Sequence, residues 1–389
     1  MENSHNNSET PEIMPDEKIG CGKKKHLITL IAFILVITII LGAAAYLINF
    51  IFAYNYNEID DAPEQLGFEE VKDERIINIA LFGIDTRSPE SFEGNSDAIM
   101  ILSVNTKTNK IKLISVMRDS LVPIETEKGV RHNKINNAYA TGGPELAIKT
   151  LNTIFDMDIS EYVAVNFFKL ADIIDAIGGV EINVTKSELY YLNACASEID
   201  GALGKKGAEY KVTSAGTQLL NGIQATAYAR IRYAANAEGT TNDYGRTDRQ
   251  RLVMEQMLNK VLAMEKTEYT KLIKPILACC ETSLTYSEAI DVALKLLSSK
   301  PTFEETRVPQ ENFLMPSPNA GVGSTVYYDL NFAAKLIHAF IYDDTTPETF
   351  IETNGIEKNN WYATGFVPID IKHFDEKEDS SATESTEEQ

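Results

Sequence analysis

The feature that most constrains this chain is a long uncharged stretch close to its N-terminus. Residues 27–54 read LITLIAFILVITIILGAAAYLINFIFAY and contain no Asp, Glu, Lys or Arg. An α-helix rises about 1.5 Å per residue, so about 20 residues cross a bilayer core of about 30 Å. Helices buried in globular cores are usually shorter than this stretch. We therefore predict a transmembrane anchor at residues 27–54.

Three lysines set the predicted orientation of this anchor. Lys23, Lys24 and Lys25 directly precede it, and the positive-inside rule places that side in the cytoplasm. A cleavable signal peptide has a shorter apolar region followed by small residues. Tyr46 and Tyr54, towards the far end, are instead typical of an interfacial belt. The pattern indicates an uncleaved, single-pass anchor in the cell membrane, with every residue after 54 outside the cell.

Composition divides the rest of the chain into ordered and solvated parts. Residues 1–26 are rich in polar side chains, and we predict a disordered cytoplasmic segment. Residues 55–74 are predicted to be an acidic linker, and residues 374–389 an acidic disordered tail. Regular structure is therefore expected for residues 75–373.

Charge argues against one class of partner. The formal net charge is −21, and residues 1–26 hold four Lys against five acidic residues, which leaves −20 for the part after residue 54. A surface this acidic repels phosphate backbones unless basic residues are concentrated in one patch. We therefore expect no nucleic-acid partner.

Short apolar runs and helical periodicities alternate along the chain. Strands are predicted at Arg75–Leu81, Ala98–Val104, Lys110–Val116 and Val180–Val184, with a hairpin turn at residues 105–109. Helices are predicted at Pro144–Phe155, Phe168–Ile177, Gln218–Tyr228, Tyr244–Met264, Lys271–Cys280, Ser287–Ser298 and Leu330–Tyr342. Strands interspersed with helices indicate an α/β domain or an α-β-α layered domain.

The four cysteines are too few for a disulfide scaffold. Outside the cell, Cys195 could form a bridge with Cys279 or Cys280, and buried free thiols are the alternative. The sequence contains no Cys and His spacing typical of a metal site.

Two aspartates stand at the ends of predicted neighbouring strands. Asp85 follows the first strand within GIDTR, and Asp97 precedes the second. Two carboxylates close together require a proton or a cation between them. Mg²⁺ suits such a pair, because it is held by few carboxylates and completed by phosphate oxygens and water. Aspartates that serve only as turn or cap residues are the alternative.

The arginines are concentrated. Of ten arginines, five fall within 22 positions: Arg230, Arg232, Arg246, Arg249 and Arg251. A helix would put Asp243, Arg246 and Gln250 on one face, with Arg249 at its edge. Guanidinium groups bind phosphate oxygens in a bidentate manner, so the cluster predicts a pyrophosphate site. An exposed helix with salt bridges is the alternative.

Taken in order, seven segments resemble the LytR-CpsA-Psr family of cell-wall enzymes. They are GIDTR, SDAIMILSVN, MRD, KINNAY, VNFFKLADIIDAIGGVEINV, LLNGIQATAYARIR and DYGRTDRQ. The likeness covers residues 75–262 and includes the preceding anchor. This sequence has Ala98, Met117 and Arg251 where the family usually has Thr, Pro and Gln, and none of these departures removes a charged group.

The resemblance implies a fold and a site. The fold would be a mixed central β-sheet sandwiched between helices, with an apolar pocket for a polyprenyl tail. Residues 75–265 would be the catalytic core, and residues 266–373 a mainly helical part of the same domain or an appendage. Asp85 and Asp97 would bind Mg²⁺ or Mn²⁺. The pyrophosphate ligands would be Arg87, Arg118, Lys134, Arg230, Arg232, Arg246 and Gln250, with Asp243 orienting Arg246.

The implied reaction is a phosphotransfer onto peptidoglycan. A hydroxyl group, on N-acetylmuramic acid, would attack the sugar-side phosphorus of a polyprenyl-pyrophosphate-linked glycopolymer such as teichoic acid, capsule or a secondary polysaccharide. Arg118 would neutralise developing charge, and Asp119 or a metal-site carboxylate would take the proton. The alternatives are a pyrophosphatase that uses water as acceptor, and a non-catalytic envelope regulator or lipid–glycan binding module.

Overall fold

The chain forms a seven-stranded sheet and two separate two-stranded hairpins in a computed structural model. The structure describes residues 55–204, 210–298, 301–310 and 313–355. The strands are β1 (Asn55–Tyr56), β2 (Ile76–Asp85), β3 (Asn95–Asn105), β4 (Lys110–Val116), β5 (Leu121–Thr126), β6 (Gly129–Lys134), β7 (Glu161–Asn166), β8 (Val180–Val184), β9 (Gly216–Leu220), β10 (Glu281–Thr282) and β11 (Thr302–Val308).

Ten helices accompany these strands in the described part of the chain. They are α1 (Pro63–Leu66), α2 (Asn137–Phe155), α3 (Phe167–Ala176), α4 (Lys186–Ala202), α5 (Gly222–Arg230), α6 (Asn242–Leu262), α7 (Lys266–Ala278), α8 (Tyr286–Ser298), α9 (Leu330–Ile341) and α10 (Pro347–Thr353).

The central sheet is mixed, as the family resemblance implies. Its strand order is β1-β10-β7-β2-β3-β4-β11. Strands β2, β3 and β4 pair antiparallel, and β7 and β11 add parallel strands beside β2 and β4. The predicted hairpin at residues 105–109 is confirmed. Strands β5 and β6 form a separate antiparallel hairpin, as do β8 and β9.

Both faces of the sheet are covered by helices. Ala80 and Tyr162 belong to a core that includes residues of α2 and α9. Their neighbours Leu81 and Val163 point the other way, towards α3, α6 and α7. Successive strand residues point to opposite faces, so strands buried on both sides require nearly continuous apolar sequence. This explains the runs of Ile, Leu and Val in β2, β3 and β4.

Helix α2 is broken near its start. Gly142 and Gly143 leave helical geometry, and Gly143 has a φ of 67°. A residue before proline is disfavoured in the α conformation, and glycine adopts positive φ without steric cost. The Gly-Gly-Pro sequence ending at Pro144 therefore sets the break. The helix predicted from Pro144 is the second part of an element that begins at Asn137.

Two sequence predictions are wrong in part. The segment 55–74, predicted as a linker, contains β1 and α1, and Leu66 at the end of α1 is fully buried in the main core. The helix predicted from Gln218 starts too early, because Gly216–Leu220 pairs as β9 with β8. Helix α5 begins only after Asn221, whose side chain accepts a hydrogen bond from the Gln224 amide.

Residues after 265 contribute to the same sheet and core. Strand β11 pairs with β4 along its whole length, and β10 pairs with β7. Leu336 and Phe340 of α9 are buried in the main core. A free-standing helical appendage is therefore not observed for the described residues of this segment.

Two further expectations concern the N-terminus and the cysteines. The anchor predicted at residues 27–54 lies outside the described residues. Within the described ranges, no helix is both long enough and apolar enough to span a bilayer. Cys195, Cys279 and Cys280 are free thiols, so the bridge considered for Cys195 is not formed.

Leu66 provides a test of whether segment 55–74 belongs to the folded domain. Leu66→Ala removes a fully buried side chain and should lower the free energy of unfolding by about 2–5 kcal/mol, the usual range for such a truncation. Val71→Ala, at a 56% exposed position of the same segment, is the matched control. Chemical denaturation of both variants measures the difference, and equal stabilities would contradict the packing of α1.

Candidate active site

A β-bulge fixes the position of Asp97. In the β2–β3 ladder Gly83 pairs with Ala98, but Ile84 pairs with Ser96, so Asp97 is the extra residue. A bulge of this kind redirects a side chain and bends its strand. Gly83 suits the site because a Cβ there would lie 2.8 Å from that of Ala98.

Arg118 follows strand β4 and meets Asp97. Its Nη1 donates to Asp97 Oδ2 at 2.5 Å, and the side-chain amide of Asn136 donates to Asp97 Oδ1 at 3.3 Å. Arg118 Nε is 3.3 Å from Asp119 Oδ2, and Lys134 Nζ is 2.8 Å from Asp119 Oδ1. The ends of β3, β4 and β6 therefore converge on one charged cluster.

The start of α6 completes this cluster. Helix α5 ends at Arg230 and the backbone becomes extended at Ile231. Arg232 Nε then lies 3.4 Å from Asp243 Oδ1, and Arg246 Nη2 lies 3.5 Å from the same oxygen. Both guanidinium groups also lie 3.8 Å from Asp97 Oδ2. Three arginines thus surround two carboxylates.

The charges perturb one another strongly. Burial and the nearby Arg118 lower the pKa of Arg246 to about 10. Burial opposes ionisation of Asp119, but hydrogen bonds with Asp243 and Lys134 outweigh it and lower the pKa of Asp119 to about 2. Burial and the hydrogen bond with Asp119 raise the pKa of Asp243. As the pH falls, Asp243 therefore takes up a proton before Asp119 does.

The arginines keep unused donors. Arg118 Nε lies 3.3 Å from Asp119 Oδ2, but neither this nitrogen nor the buried Nε of Arg246 makes a hydrogen bond with a described residue. Buried donors are costly unless they are satisfied. The cluster is therefore suited to an anionic ligand with several oxygens, such as a phosphate or diphosphate.

A polar cavity of about 330 Å³ opens beside this cluster. Asp85 and Asp97 both line it, together with Arg118, Asp119 and Lys134. The remaining residues that line it are Asn95, Asn133, Asn136 and Asn137. The sequence analysis did not assign a role to these asparagines, although the segment NKINN, which contains Asn133, Asn136 and Asn137, was an available signal.

An apolar cavity, also of about 330 Å³, lies behind the end of β2 and β3. Gly83 and Ala98 form its end nearest the charged cluster, and residues of α3, α6 and α7 form its walls. Gln250 lines it too, and apart from Asn166 the other described lining residues are apolar or Cys. The cavity can hold a hydrocarbon chain whose polar end reaches the arginines.

Helix α6 connects the two environments. Asp243 and Arg246 stand in its first turns, Gln250 follows, and Met257 and Val261 line the apolar cavity further along. From Arg246 to Val261 the helix rises roughly 22 Å at 1.5 Å per residue. One helix face thus changes from charged to apolar over this length.

Two predicted phosphate ligands lie away from the cluster. Arg230 lies 3.8 Å from Glu198 and stacks at 4.9 Å over Phe167, a residue of the apolar cavity. Arg87 is exposed, two residues beyond Asp85. Neither side chain lines the polar cavity beside the cluster.

The prediction that Arg249 binds phosphate is wrong, because its guanidinium donates hydrogen bonds to other groups in the protein interior. Its Nε donates to Glu188 Oε1 at 2.8 Å, and its terminal nitrogens donate to the carbonyls of Ile231 and Ala234 at 3.1 and 2.7 Å. The side chain is 1% exposed. Arg249 therefore does not face the phosphate site. It holds the extended segment that carries Arg232, and so acts as a positioning residue.

The donor set fits a cation that is bound jointly with a ligand. Asp85 and Asp97 border the same cavity, but no group of three or more metal-binding side chains occurs among the described residues. Mg²⁺ accepts one or two carboxylates when phosphate oxygens and water complete its octahedron. A closed protein cage for a metal is not formed by these residues.

Known proteins resemble this chain in sequence and in fold. A model of the LytR_cpsA_psr family matches residues 47–334. Biofilm regulatory protein A of Streptococcus mutans is 32% identical over 284 residues, which are 70% of this chain and 65% of that protein. Polyisoprenyl-teichoic acid–peptidoglycan teichoic acid transferase TagU of Bacillus cereus is 29% identical over 294 residues, 74% of this chain and 88% of that protein. The crystal structure of a Streptococcus agalactiae protein is 25% identical, with a TM-score of 0.56, over 77% of this chain and 99% of that one.

The role of Arg249 can be tested through stability. Arg249→Met leaves Glu188 charged and buried, and should lower the free energy of unfolding by about 3–5 kcal/mol, as when one partner of a buried ion pair is removed. Arg249→Met combined with Glu188→Gln should recover part of this loss. Arg75→Met, at an exposed ion pair with Asp73, is the control and should leave the melting temperature unchanged. A stable Arg249→Met protein with normal melting would contradict the structural assignment.

Proposed function

Because this chain belongs to the LytR_cpsA_psr family, we propose that it transfers a glycopolymer from a polyprenyl-pyrophosphate carrier to peptidoglycan. The observation that carries the proposal is the convergence of Arg118, Arg232 and Arg246 on Asp97, which directly precedes Ala98 in the lining of the apolar cavity. A diphosphate with a hydrocarbon tail on one side matches both halves of this arrangement. The family relatives named teichoic acid transferases support the reaction type.

The arginines bind and stabilise the diphosphate. Their forks hold its oxygens in place of Asp97 and Asp243, which occupy them in the structure. Charge that develops on the transferred phosphoryl group and on the leaving polyprenyl phosphate is neutralised by groups already in position, which is the main source of catalysis in such chemistry. Gln250 lies where the lipid tail begins.

Asp85 and Asp97 are the proposed ligands of Mg²⁺ or Mn²⁺. Such a cation, when bound, supplies further positive charge at the phosphate oxygens. Asp119 is the proposed acceptor of the proton from the attacking hydroxyl group. Its low pKa keeps it ionised at neutral pH, and it lines the cavity through which that hydroxyl would arrive.

The acceptor is proposed to be N-acetylmuramic acid of peptidoglycan, and the donor polymer a teichoic acid or another anionic glycopolymer. A relative named for biofilm regulation is compatible with this view, since a cell-wall transferase alters the surface on which biofilms depend. A purely regulatory module would not need the shared cavity of carboxylates and arginines.

Transfer is the first activity to test. The exterior part of the chain is incubated with Mg²⁺, a short lipid-pyrophosphate-sugar and peptidoglycan oligomers, and the products are weighed. Arg118→Ala should lower the rate of conjugate formation about 10²–10³-fold, the usual effect of removing one electrostatic donor. Asp97→Ala, which removes a proposed metal ligand, should lower the rate by at least as much. Arg75→Ala, remote from the cluster, should retain the rate.

The same assay separates transfer from hydrolysis. Omission of the peptidoglycan oligomers should slow release of polyprenyl phosphate, because water is then the only acceptor. Equal release with and without the acceptor, and no conjugate, would favour the pyrophosphatase alternative. Unchanged turnover in both Asp97→Ala and Arg118→Ala would refute the site.

Residues 27–54 are proposed to anchor the enzyme, with the catalytic domain outside the cell. The uncharged stretch and the preceding lysines support this topology. A C-terminal alkaline phosphatase fusion should be active and a cytoplasmic reporter fusion inactive. Moving the lysines of positions 23–25 to the far side of the stretch should reduce the phosphatase signal. A signal from the cytoplasmic reporter alone would contradict the topology.

A further inference from the structure

A second polar cavity, of about 700 Å³, lies between the β5–β6 hairpin and helix α2. We call it the hairpin groove. Asn133 and Asn137 line both this groove and the polar cavity of the active site, so the two adjoin. We propose that the hairpin groove binds the acceptor peptidoglycan strand, an inference that rests on the proposed function and names the place of its second substrate.

The groove lies on the side from which an acceptor must approach. The apolar cavity is formed on one face of the sheet with α3, α6 and α7. Helix α2, which forms one wall of the groove, packs on the opposite face. Phosphoryl transfer places the attacking and leaving oxygens roughly in line. With the lipid leaving on one side, the attacking hydroxyl enters from the groove side.

The lining of the groove suits a strand of N-acetylated sugars. Asn133 Nδ2 donates to Asn137 Oδ1 at 2.9 Å, and Thr141 Oγ1 donates to the same oxygen at 3.0 Å. These side chains run from the active-site cavity into the groove. Amide and hydroxyl groups offer both donors and acceptors, which match the acetamido and hydroxyl groups of such sugars.

The charge of the groove favours the acceptor over the donor polymer as its occupant. The groove is lined by three acidic side chains, Glu125, Glu127 and Glu145, and by three basic ones, Lys128, Arg131 and Lys149. Its formal charge is therefore balanced. A polyphosphate chain would favour a positive track, in particular on a domain with this much negative charge. Peptidoglycan, with charged groups of both signs in its peptides, suits a balanced lining.

A larger polar cleft of about 820 Å³ is the rival location. Thr217 and Glu255 are among its lining residues, and acidic side chains outnumber basic ones there by six to three. No residue in the described part of the chain lines both this cleft and the active-site cavity. Size alone therefore does not make it the acceptor site.

The experiment compares one substitution at two exposed positions. Thr141→Trp fills the hairpin groove, and Thr217→Trp, in the rival cleft, is the matched control. Binding of soluble, uncrosslinked peptidoglycan oligomers to the full exterior domain is measured by calorimetry. Thr141→Trp should weaken binding by about tenfold or more, equivalent to 1.4 kcal/mol, and Thr217→Trp should not. Arg131→Ala, which adds no bulk, should weaken binding in the same direction.

Further measurements distinguish the hairpin groove from the alternative sites and ligands. Loss of binding in Thr217→Trp but not in Thr141→Trp would overturn the inference in favour of the rival cleft. A groove variant that weakens binding of poly(glycerol phosphate) but not of peptidoglycan would overturn it in favour of the donor polymer. In the transfer assay, Thr141→Trp should raise the acceptor KM more than it lowers kcat. Absence of transfer by the unaltered chain, despite groove-dependent binding, would contradict the proposed function and leave the binding site supported.

Discussion

The position of Asp97 in the β2–β3 bulge is the constraint on which the site depends. The extra residue turns one carboxylate out of the ladder and towards the end of β4, where Arg118 meets it. Arg232 and Arg246 approach the same carboxylate from the α5–α6 segment. A regular pairing at this point would shift Asp97 along the strand and reverse its side-chain direction. One irregularity in the sheet thus fixes where three guanidinium groups converge.

Helix α6 explains how a single site serves two chemical environments. Its first turns supply charged groups and its later turns supply an apolar surface. One rigid element would therefore contact both the head and the tail of the proposed lipid diphosphate. Rigid elements hold catalytic groups more accurately than loops. The hairpin groove adds a third environment on the opposite face of the sheet. In the proposed reaction, donor lipid and acceptor would therefore occupy opposite faces of the sheet and meet where β2 ends and β3 begins.

Much of this could be predicted from sequence, and the failures have physical causes. The apolar runs predicted β2, β3 and β4, because strands buried on both faces need continuous apolar residues. Strand β11 was missed because its sequence TFEETRV has no apolar run and pairs through tertiary context. Arg249 was assigned to the phosphate site because helical spacing places it beside Arg246 and Gln250. Its true environment is decided by Glu188, which is distant in sequence.

The Glu188–Arg249 pair has a consequence for how this fold tolerates change. Glu188 also closes the capping box of α4, since its Oε2 accepts from the amide and hydroxyl of Thr185 at 2.8 and 2.9 Å. One buried carboxylate therefore joins the start of one helix, the interior of another and the backbone beside Arg232. Replacing either partner alone leaves the charge of the other buried and unpaired. Across divergent homologues, these two positions should accordingly vary together or not at all.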